Sequence, residues 1–483
     1  MSILAIDQGT SSTKAFVLKP GGGFEFINSI AHQQIYLPQG WVEQNAEELA
    51  SNVECMIDQA LLKHPDISAI ALANQGETVV AWDKRTKKPL YNAIAWQDQR
   101  TQMELDSLPP GARALIAEHA GLPIDAYFAA AKLAWLYENV PSVATAAKAG
   151  CLCIGTSDAF FINRLTGNYA TDVTTASRTS LMNLHSCDWD AELCQIFRVP
   201  IDALPAIQAS VSHFGFVRRS SREIPLLVSI VDQQASLFGH GCRLPGDAKI
   251  TFGTGSFAMM ICGTVPGQVC KGVSPTVAWA LPNEPPVYAL DGGDYTASVA
   301  LEWAIRVGIA QSLSDFDLST DSSALEKGLI FIPTLAGYGA PHWDRAISGA
   351  WIGLRQETTA ADMRRALLEG IALRAVELIE ALGVPIDNLV SVDGGMTSNT
   401  YFLQSLADFL GRPVQVRGSS TTALGAAQLC LLGAKRASPI RTTLSNLVIE
   451  PSARSVFMQD IRPRFSQAAE LVRAFSSAPF TVR

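Results

Sequence analysis

Two turns rich in glycine and hydroxyl residues have the composition of phosphate-binding sites. The first, Asp7-Gln8-Gly9-Thr10-Ser11-Ser12-Thr13-Lys14, places a carboxylate before a glycine and a run of hydroxyl residues. Glycine lets backbone N–H groups approach phosphate oxygens closely, and a carboxylate can bind Mg²⁺. The second turn is Gly253-Thr254-Gly255-Ser256. The same residue types also form ordinary hairpin turns, so each turn taken alone leaves both interpretations open.

Asp232 is a candidate general base. It follows an apolar run, residues 224–230, and precedes Gln233 and Gln234. A carboxylate at the carboxyl end of a strand lies in the ligand crevice of an open α/β sheet, where it can accept a proton from a substrate hydroxyl. The same residue could instead cap a following helix. The spacing alone does not choose between these two roles.

Two further strand ends carry residues suited to ligands. Asp393-Gly394-Gly395 closes an apolar run and leads into Thr397-Ser398-Asn399, a pattern typical of helix starts that contact phosphate or ribose. Glu77 follows the apolar run 67–73, and Trp96 and Tyr127 add the aromatic surface that a polyhydroxy substrate needs. Each of these residues is also common in turns or cores.

The candidates lie on two stretches with the same order of predicted elements. In the first stretch, a helix over residues 46–62 separates three strands from a fourth, and the strands are 3–5, 13–18, 24–29 and 67–73. In the second, helices over 298–307 and 360–382 separate three strands from a fourth, and the strands are 249–252, 257–262, 287–290 and 389–392. The repeated order predicts two similar α/β domains with a cleft between them, and a boundary near residues 239–245.

Length and composition narrow the class of protein. The 483 residues are 48% hydrophobic and 17% charged, which suits two or three folded domains rather than a disordered chain. A formal charge of −8 argues against nucleic acid or an anionic membrane as the main partner. No apolar run reaches the roughly 18 residues that span a bilayer. The chain start lacks a signal peptide's basic segment, and the nine cysteines include no C-x-x-C pair, so we expect a cytoplasmic protein.

Missing motifs exclude two classes of nucleotide-binding protein. The chain has no G-x-x-x-x-G-K-[ST] sequence, which excludes a P-loop NTPase. It also lacks the G-x-G-x-x-G fingerprint after its first strand, which argues against a dinucleotide-dependent polyol dehydrogenase.

Ten stretches, in the same order and over nearly the whole chain, resemble the FGGY carbohydrate kinases, and among them the glycerol kinases. Those of the first half are Asp7-Gln8-Gly9-Thr10, Gly40-Trp41-Val42-Glu43-Gln44, the segment 82–98, Gly121-Leu122-Pro123-Ile124-Asp125-Ala126-Tyr127-Phe128, Ala176-Ser177-Arg178-Thr179 and Asp232-Gln233-Gln234. Those of the second half are Gly253-Thr254-Gly255, Gly339-Ala340-Pro341-His342-Trp343-Asp344, Val392-Asp393-Gly394-Gly395 and Thr421-Thr422-Ala423-Leu424-Gly425-Ala426-Ala427.

The resemblance implies an α/β fold of two ribonuclease H-like domains, of the actin, hexokinase and Hsp70 type, with an interdomain cleft. Residues 1–240 would form the FGGY N-terminal domain, on the side of the substrate, Mg²⁺ and phosphates. Residues 241–483 would form the FGGY C-terminal domain, on the nucleotide side. It also implies a cytoplasmic homodimer or homotetramer that uses ATP and Mg²⁺ to phosphorylate a terminal hydroxyl of glycerol or a related small polyol.

By the same resemblance, Asp232 would be the general base and Asp7 would organise Mg²⁺. The residues implied in contacting the acceptor are Glu77, Trp96, Tyr127, Asp232, Gln233 and Phe257. Those implied in binding the nucleotide are Thr10, Ser11, Ser12, Lys14, Gly253, Thr254, Gly395 and Asn399. Together these groups are sufficient for phosphoryl transfer, which depends mainly on positioning and on neutralisation of charge.

Three positions depart from the family pattern. Glycerol kinases have an arginine before the glutamate matched by Glu77, where this chain has Gly76. The change removes a donor and is expected to open volume, which suggests weak glycerol binding or a longer polyol or ketose as substrate. Ser298 and Glu302 replace the usual glycine and glutamine near the adenine site. A non-catalytic polyol- or nucleotide-binding protein on the same fold is the alternative from another class.

Overall fold

In the computed structural model, which describes residues 1–219, 221–267, 272–385, 388–418, 420–434 and 447–476, most strands fall into mixed sheets. The strands of the first half are β1 (Ser2–Gln8), β2 (Ser12–Leu18), β3 (Phe24–Ala31), β4 (Gln34–Leu37), β5 (Trp41–Gln44), β6 (Ile67–Asn74), β7 (Val79–Asp83), β8 (Ala93–Ile94), β9 (Leu152–Thr156), β10 (Ala170–Asp172), β11 (Met182–Asn183), β12 (Asp188–Trp189), β13 (Ala206–Gln208), β14 (Val211–Arg219) and β15 (Arg222–Val231). Its helices are α1 (Ala46–Lys63), α2 (Gln102–Asp106), α3 (Pro110–His119), α4 (Ala129–Asn139), α5 (Pro141–Lys148), α6 (Ser157–Thr166), α7 (Val173–Ala176), α8 (Ala191–Phe197) and α9 (Asp232–Gly239).

The second half repeats the mixture of strands and helices. Its strands are β16 (Ala248–Phe252), β17 (Ser256–Gly263), β18 (Ser274–Trp279), β19 (Val287–Asp294), β20 (Ile330–Ile332), β21 (Ala350–Ile352), β22 (Val390–Gly394), β23 (Val414–Val416) and β24 (Leu447–Ile449). Its helices are α10 (Ser298–Arg306), α11 (Ala360–Leu382), α12 (Thr400–Leu410), α13 (Thr421–Gly433), α14 (Ser455–Ile461) and α15 (Pro463–Ser476). Short 3₁₀ turns cover Pro38–Gly40, Ile201–Ala203, Leu313–Phe316 and Gly395–Ser398.

Six strands follow the same order in the two large sheets, and the second sheet has a seventh strand, β18, at one edge. The first runs β14-β15-β6-β1-β2-β3, and the second runs β18-β19-β17-β16-β22-β23-β24. In the first sheet, the antiparallel meander β1 to β3 continues through β1 into the parallel strands β6 and β15. In the second sheet, the antiparallel strands β16, β17 and β19 continue through β16 into the parallel strands β22 and β23. The predicted α/β fold with a repeated element order is therefore confirmed. The division at residue 240 stays a prediction.

Local sequence explains why the central elements form. β6 lies between β1 and β15, and seven of its eight residues are buried, which accounts for its continuous apolar run. The helix α1 begins at Asn45, whose side chain accepts hydrogen bonds from two backbone N–H groups, and buries one apolar stripe. The ends of β14 and β15 pair antiparallel, with Arg218 opposite Glu223 and Arg219 opposite Arg222.

A helix from the second half joins the two sheets. α13 packs against α9 and against β1 and β6 of the first sheet. The two helices cross with their backbones in contact: a Cβ on Gly239 would lie 2.0 Å from Thr421 O, and one on Gly425 would lie 1.8 Å from Ala235 O. Small alanines of β6 and α13 fill the shared core around this crossing. Close packing here therefore depends on glycine at both positions.

Among the described residues, no helix combines the length and the apolar content needed to cross a bilayer. Seven cysteines of the described residues are free thiols, namely Cys55, Cys151, Cys153, Cys187, Cys194, Cys242 and Cys430.

Candidate active site

Three carboxylates of the first sheet lie at the carboxyl ends of its parallel strands. Asp7 is at the end of β1, Glu77 follows β6 and Asp232 follows β15. The register aligns these ends, because Ala73 of β6 pairs with Asp7 on one side and with Ile230 on the other. The sheet therefore brings together three of the predicted site residues that are far apart in sequence.

The second sheet presents its own strand ends to the same cleft. The turn between β16 and β17 carries Gly253 and Thr254, and Thr251 of β16 pairs with Asp393 of β22. Phe257 of β17 reaches the first lobe, where its ring centroid lies 5.8 Å from that of Trp96. The negative charge of Asp393 contributes to the raised pKa of Asp7, so the two carboxylates influence each other across the two sheets.

The Asp232 carboxyl has the protonation behaviour of a general base at neutral pH. Burial raises its pKa to about 7, and the nearby charges of Asp7 and Glu77 add to the rise while Lys249 opposes it. Among the described residues, the N-cap of α9 is Val231, without a side-chain capping bond. Asp232 is therefore the first residue of the helix and not its N-cap, and a hydrogen bond from the Gln233 backbone N–H lowers its pKa slightly.

Asp7 lies in a setting that fits a divalent cation. Burial raises its pKa to about 6, Lys14 opposes the rise, and Asp393 contributes to it. Lys14 stands directly opposite Asp7 in the β1–β2 register. Carboxylate oxygens are the ligands that Mg²⁺ prefers, and a cation here would offset the repulsion between Asp7 and its acidic neighbours.

The first turn is held in a fixed shape. Gly9 N–H donates to Ser12 O at 3.1 Å, which closes the turn. Gln44 Nε2 donates to Thr10 O at 2.7 Å, and His32 Nε2 lies 3.0 Å from Gly9 O. Ser11, at the tip, is exposed. The turn is thus preorganised with its hydroxyl residues at the edge of the cleft.

The second turn depends on close backbone packing. Gly253 N–H donates to Gly255 O at 2.9 Å, and Ala297 N–H donates to Thr254 O at 2.9 Å. A Cβ on Gly255 would lie 2.3 Å from Asp294 O, whereas one on Gly253 would meet nothing nearer than Gly255 O at 3.9 Å. Gly255 is therefore required by the fold, and Gly253 is free to face a ligand.

The predicted aromatic wall of the acceptor site is assembled. Trp96 packs edge-on against Tyr127, with ring centroids 5.6 Å apart, and against Phe257. Its Nε1–H donates to Thr10 Oγ1 at 3.0 Å, which ties the wall to the first phosphate turn. Residues from both halves of the chain thus meet at one indole.

Two buried cations contact residues predicted to bind the acceptor, and sequence reasoning assigned neither cation a role. Arg178 Nε lies 2.6 Å from Glu77 Oε1, and its Nη2 lies 2.9 Å from Asp291 Oδ2. Burial raises the pKa of Glu77, and Arg178 offsets part of that rise. Lys249 donates to Gln233 Oε1 and, at 2.9 Å, to Thr251 Oγ1. Gln233 is thus held by a lysine from the second sheet.

The structure gives one predicted adenosine residue another task. Asn399 caps α12: its Oδ1 accepts from Phe402 N–H at 2.8 Å, and its Nδ2 donates to Phe316 O at 2.8 Å. Gly395 is exposed at the start of the 3₁₀ turn that follows β22. The nucleotide role of Asn399 and Gly395 stays a prediction, as do the contacts at Ser298 and Glu302, which both belong to α10.

Gly76 does not leave the space that the sequence predicts. A Cβ at this position would lie 3.1 Å from Val231 Cγ1, closer than most such contacts in proteins. Both Gly76 and Val231 are buried. The sequence predicts open volume beside Gly76. That prediction is wrong at the Cβ position, because the Val231 methyl groups lie next to it.

Comparison with protein families matches both halves of the chain. Residues 2–239 match the N-terminal domain of the FGGY family of carbohydrate kinases, and residues 248–434 match its C-terminal domain. A glycerol kinase of Geobacter sp. (strain M21) is 38% identical over 447 residues, covering 89% of this chain and 90% of that protein. A glycerol kinase of Koribacter versatilis is 39% identical over 444 residues, covering 88% of each.

Solved structures share the fold over almost the whole chain. A crystal structure of Plasmodium falciparum glycerol kinase with ADP superposes with a TM-score of 0.86 at 30% identity, covering 98% of both chains. A xylulose kinase from Lactobacillus acidophilus superposes with a TM-score of 0.84 at 21% identity, covering 98% of both chains, and this likeness concerns the fold alone.

Proposed function

The chain belongs to the FGGY family of carbohydrate kinases, and we propose that it transfers the γ-phosphoryl group of ATP to a terminal hydroxyl of glycerol or a closely related small polyol. The observation that carries the proposal is the placement of Asp232, a carboxyl with a pKa of about 7, at a strand end beside Asp7 and Glu77. The relatives that are named glycerol kinases, at 38–39% identity over nearly the whole chain, support glycerol as the acceptor.

The proposed reaction proceeds by direct transfer. The acceptor hydroxyl oxygen attacks the γ-phosphorus, and its proton passes to the Asp232 carboxylate. The bond between the γ-phosphorus and the β–γ bridging oxygen breaks, and its electron pair leaves with ADP. The products are the polyol phosphate and ADP, and the proton on Asp232 returns to solvent.

Each lobe supplies part of the positioning that this transfer requires. The turns at 9–12 and 253–255 would hold the phosphates, with Lys14 beside the first turn. Asp7 would hold Mg²⁺, which supplies positive charge to the phosphate oxygens when it is bound. Glu77, fixed by Arg178, and Gln233, fixed by Lys249, would orient the acceptor hydroxyls. The aromatic wall of Trp96, Tyr127 and Phe257 would cover the carbon skeleton.

Cytoplasmic location and assembly as a homodimer or homotetramer belong to the proposal as well. They follow from the resemblance to the family rather than from contacts of this chain.

ADP release by the full-length protein tests the proposal. The purified chain, with ATP and Mg²⁺, is assayed against glycerol, erythritol, ribitol and xylulose, and the product is identified by phosphorus NMR. We expect ADP release with glycerol, matched mole for mole by a primary phosphate ester. Tight ATP binding in calorimetry without ADP release from any acceptor would favour the alternative of a non-catalytic binding protein. A higher kcat/KM for erythritol, ribitol or xylulose would move the proposed substrate away from glycerol.

A further inference from the structure

A carboxylate of the first half of the chain forms an ion pair with an arginine of the second half. Asp125 lies just before α4, and Arg345 lies between β20 and β21. Arg345 Nε lies 3.2 Å from Asp125 Oδ2, and Arg345 Nη2 lies 2.9 Å from Asp125 Oδ1, so the pair is bidentate and fixes direction as well as distance. The side chains are 22% and 3% exposed, for Arg345 and Asp125 respectively, so water and salt screen the pair only weakly.

Tyr295 adds a second contact from the same side. Its hydroxyl donates to Asp125 Oδ2 at 3.3 Å, and the guanidinium carbon of Arg345 lies 3.7 Å from the centre of its ring. Burial and the nearby charge of Asp125 raise the pKa of Tyr295 well above its usual value, so the hydroxyl remains a donor at neutral pH. These three side chains form one cluster, the Asp125 cluster, to which the second half of the chain contributes two members.

In the first half of the chain, the Asp125 cluster fixes the backbone that leads into the aromatic wall. Asp125 Oδ1 accepts a hydrogen bond from the Tyr127 backbone N–H at 2.8 Å. The Tyr127 ring packs against Trp96, with centroids 5.6 Å apart. The carboxylate that binds Arg345 is therefore also the group that closes the turn carrying Tyr127.

The same turn is held independently from within the first half. Lys132, which is buried, donates from Nζ to Ala126 O at 3.1 Å and to Tyr127 O at 2.7 Å. Gln102 Oε1 accepts from Ala126 N–H at 2.9 Å. Loss of Arg345 would therefore leave the turn folded and would remove only its link to the second half.

In the second half of the chain, the Asp125 cluster is attached to the turn proposed to hold phosphates. Tyr295 directly follows Asp294, the last residue of β19. A Cβ on Gly255 would lie 2.3 Å from Asp294 O, so this stretch of backbone lies against the turn between β16 and β17. Contacts through one carboxylate, that of Asp125, therefore connect the glycine turn of one half with the aromatic wall of the other.

We propose that Arg345 and Tyr295 are positioning residues for phosphoryl transfer, which hold Asp125 and thereby align the acceptor side of the first half with the phosphate turn of the second. This inference rests on the proposed function. Both residues act through Asp125 and are assigned no contact with the acceptor or the nucleotide. Without the cluster, each half still binds its own ligand, but the two ligands are no longer held at the separation and angle that transfer requires.

The substitution Arg345→Gln separates alignment from binding. We expect kcat for ADP release to fall by about 10–10²-fold, because a misplacement of about 1 Å between reacting groups costs up to about 10²-fold. The calorimetric Kd values of glycerol and of a non-hydrolysable ATP analogue, each measured alone on the full-length chain, should stay within about twofold of wild type. A variant that was merely less folded would instead bind both ligands with reduced stoichiometry, and that result, with an unchanged kcat per binding site, overturns the inference.

A double-mutant cycle tests whether Arg345 acts through Asp125. Asp125→Asn keeps an oxygen for the Tyr127 N–H and removes the charge that pairs with Arg345. If the two residues act as a unit, the double variant has a kcat no lower than that of the more impaired single variant. Losses of kcat that multiply in the double variant overturn the inference.

Two milder variants keep the test available if Arg345→Gln does not fold. Arg345→Lys keeps the charge without the bidentate fork, and Tyr295→Phe keeps the ring without the hydroxyl. We expect each to lower kcat by about threefold or more. A wild-type kcat in both variants overturns the inference.

The matched control is Arg454→Gln. Arg454 Nη2 lies 2.5 Å from Glu326 Oε2, and its side chain is 31% exposed, so the substitution breaks a similar ion pair that lies wholly within the second half. Its kcat should stay within about threefold of wild type. A kcat within the same range for folded Arg345→Gln overturns the inference and leaves the proposed function standing. Failure of the wild-type chain to release ADP with glycerol or any other polyol overturns the proposed function, and this inference with it.

Discussion

The two large sheets share the order of six strands and carry different residues at their strand ends. In the first sheet, Asp7 lies near the end of β1, and Glu77 and Asp232 follow the ends of β6 and β15. At the matching ends of the second sheet stand Thr251, the Asp393-Gly394-Gly395 segment and Arg417. The first sheet therefore has an acid at each of three strand ends, whereas the second has one acid, followed by two glycines, together with a threonine and an arginine.

This difference shows how a repeated scaffold serves two unlike ligand parts. The acceptor hydroxyl must lose a proton in the proposed reaction. The lobe proposed to hold the acceptor therefore needs carboxylates with raised pKa values. Burial raises the pKa values of Asp232 and Asp7. A nucleotide tail needs N–H donors and close approach, so its lobe needs glycine. The lobes meet at Trp96, which contacts Phe257 of the second sheet.

Removing the charge of Asp232 gives the largest effect that the comparison predicts. We expect Asp232→Asn to fold normally and to lose at least about 10² in kcat, because the amide cannot accept the hydroxyl proton. Steady-state ADP release measures kcat, and circular dichroism monitors folding. Asp202→Asn removes an exposed carboxylate of the same lobe and serves as the control. A near-wild-type kcat for Asp232→Asn would remove this residue from the role of base.

Two alanine substitutions in the turn between β16 and β17 are expected to have intermediate effects, one on stability and the other on the KM for ATP. Gly255→Ala forces a Cβ to 2.3 Å from Asp294 O, and we expect it to lower the free energy of unfolding by about 1–3 kcal/mol. Gly253→Ala meets nothing nearer than 3.9 Å and should unfold like the wild type. If the phosphates approach its backbone, however, its KM for ATP should rise about tenfold, which corresponds to about 1.4 kcal/mol.

Each variant of this pair checks the other. Denaturant unfolding and ATP titration are measured on both proteins. A wild-type KM for ATP in Gly253→Ala would contradict the proposed phosphate contact at this turn, whatever the stability of Gly255→Ala.

The smallest effect concerns stability and pH. The pKa of Asp232 is about 7 in the folded protein and near 4 in the unfolded chain, so the folded state binds the extra proton between these values. The stability contributed by this carboxyl is complete below pH 4 and is lost as the pH rises through 7. Between pH 5 and pH 8, we therefore expect the Tm of Asp232→Asn to gain at least about 2 °C relative to wild type.

The measurement is thermal unfolding of the full-length protein without nucleotide at both pH values. Asp202→Asn should keep a constant Tm difference from wild type across the range. If Asp232→Asn also keeps a constant difference, then Asp232 ionises with an ordinary pKa, and the acidic character assigned to the first lobe is wrong.

Patterns local in sequence were sufficient to predict the elements and part of the site. The apolar run before Asp232 marks a buried strand, and the carboxyl end of such a strand is where an open α/β sheet binds ligands. The same logic applies to Asp7 and to the turn at Gly253. The predicted strand ends and turn are confirmed because strand and turn formation depends on near neighbours, and the ligand roles of these residues stay predictions.

Contacts between distant segments could not be predicted from spacing. Glu77 and Arg178 are 101 positions apart, and Lys249 reaches Gln233 from the other sheet, so no local pattern reveals either pairing. Val231 fills the space beside Gly76 because β15 and β6 are neighbours, which the order along the chain does not state. By contrast, an asparagine before a helix is a recognisable cap signal, so the capping role of Asn399 could have been found.

The backbone contact between Gly239 and Gly425 has a consequence for how substitutions spread through the molecule. α9 carries Asp232 in its first turn and Gly239 in its last. One short helix therefore connects the carboxylate to the contact with α13. A single methyl at the far end must push the helices apart, since it would meet main-chain oxygen rather than a movable side chain. We therefore expect a substitution at Gly239 to disturb Asp232 from the opposite end of the same helix.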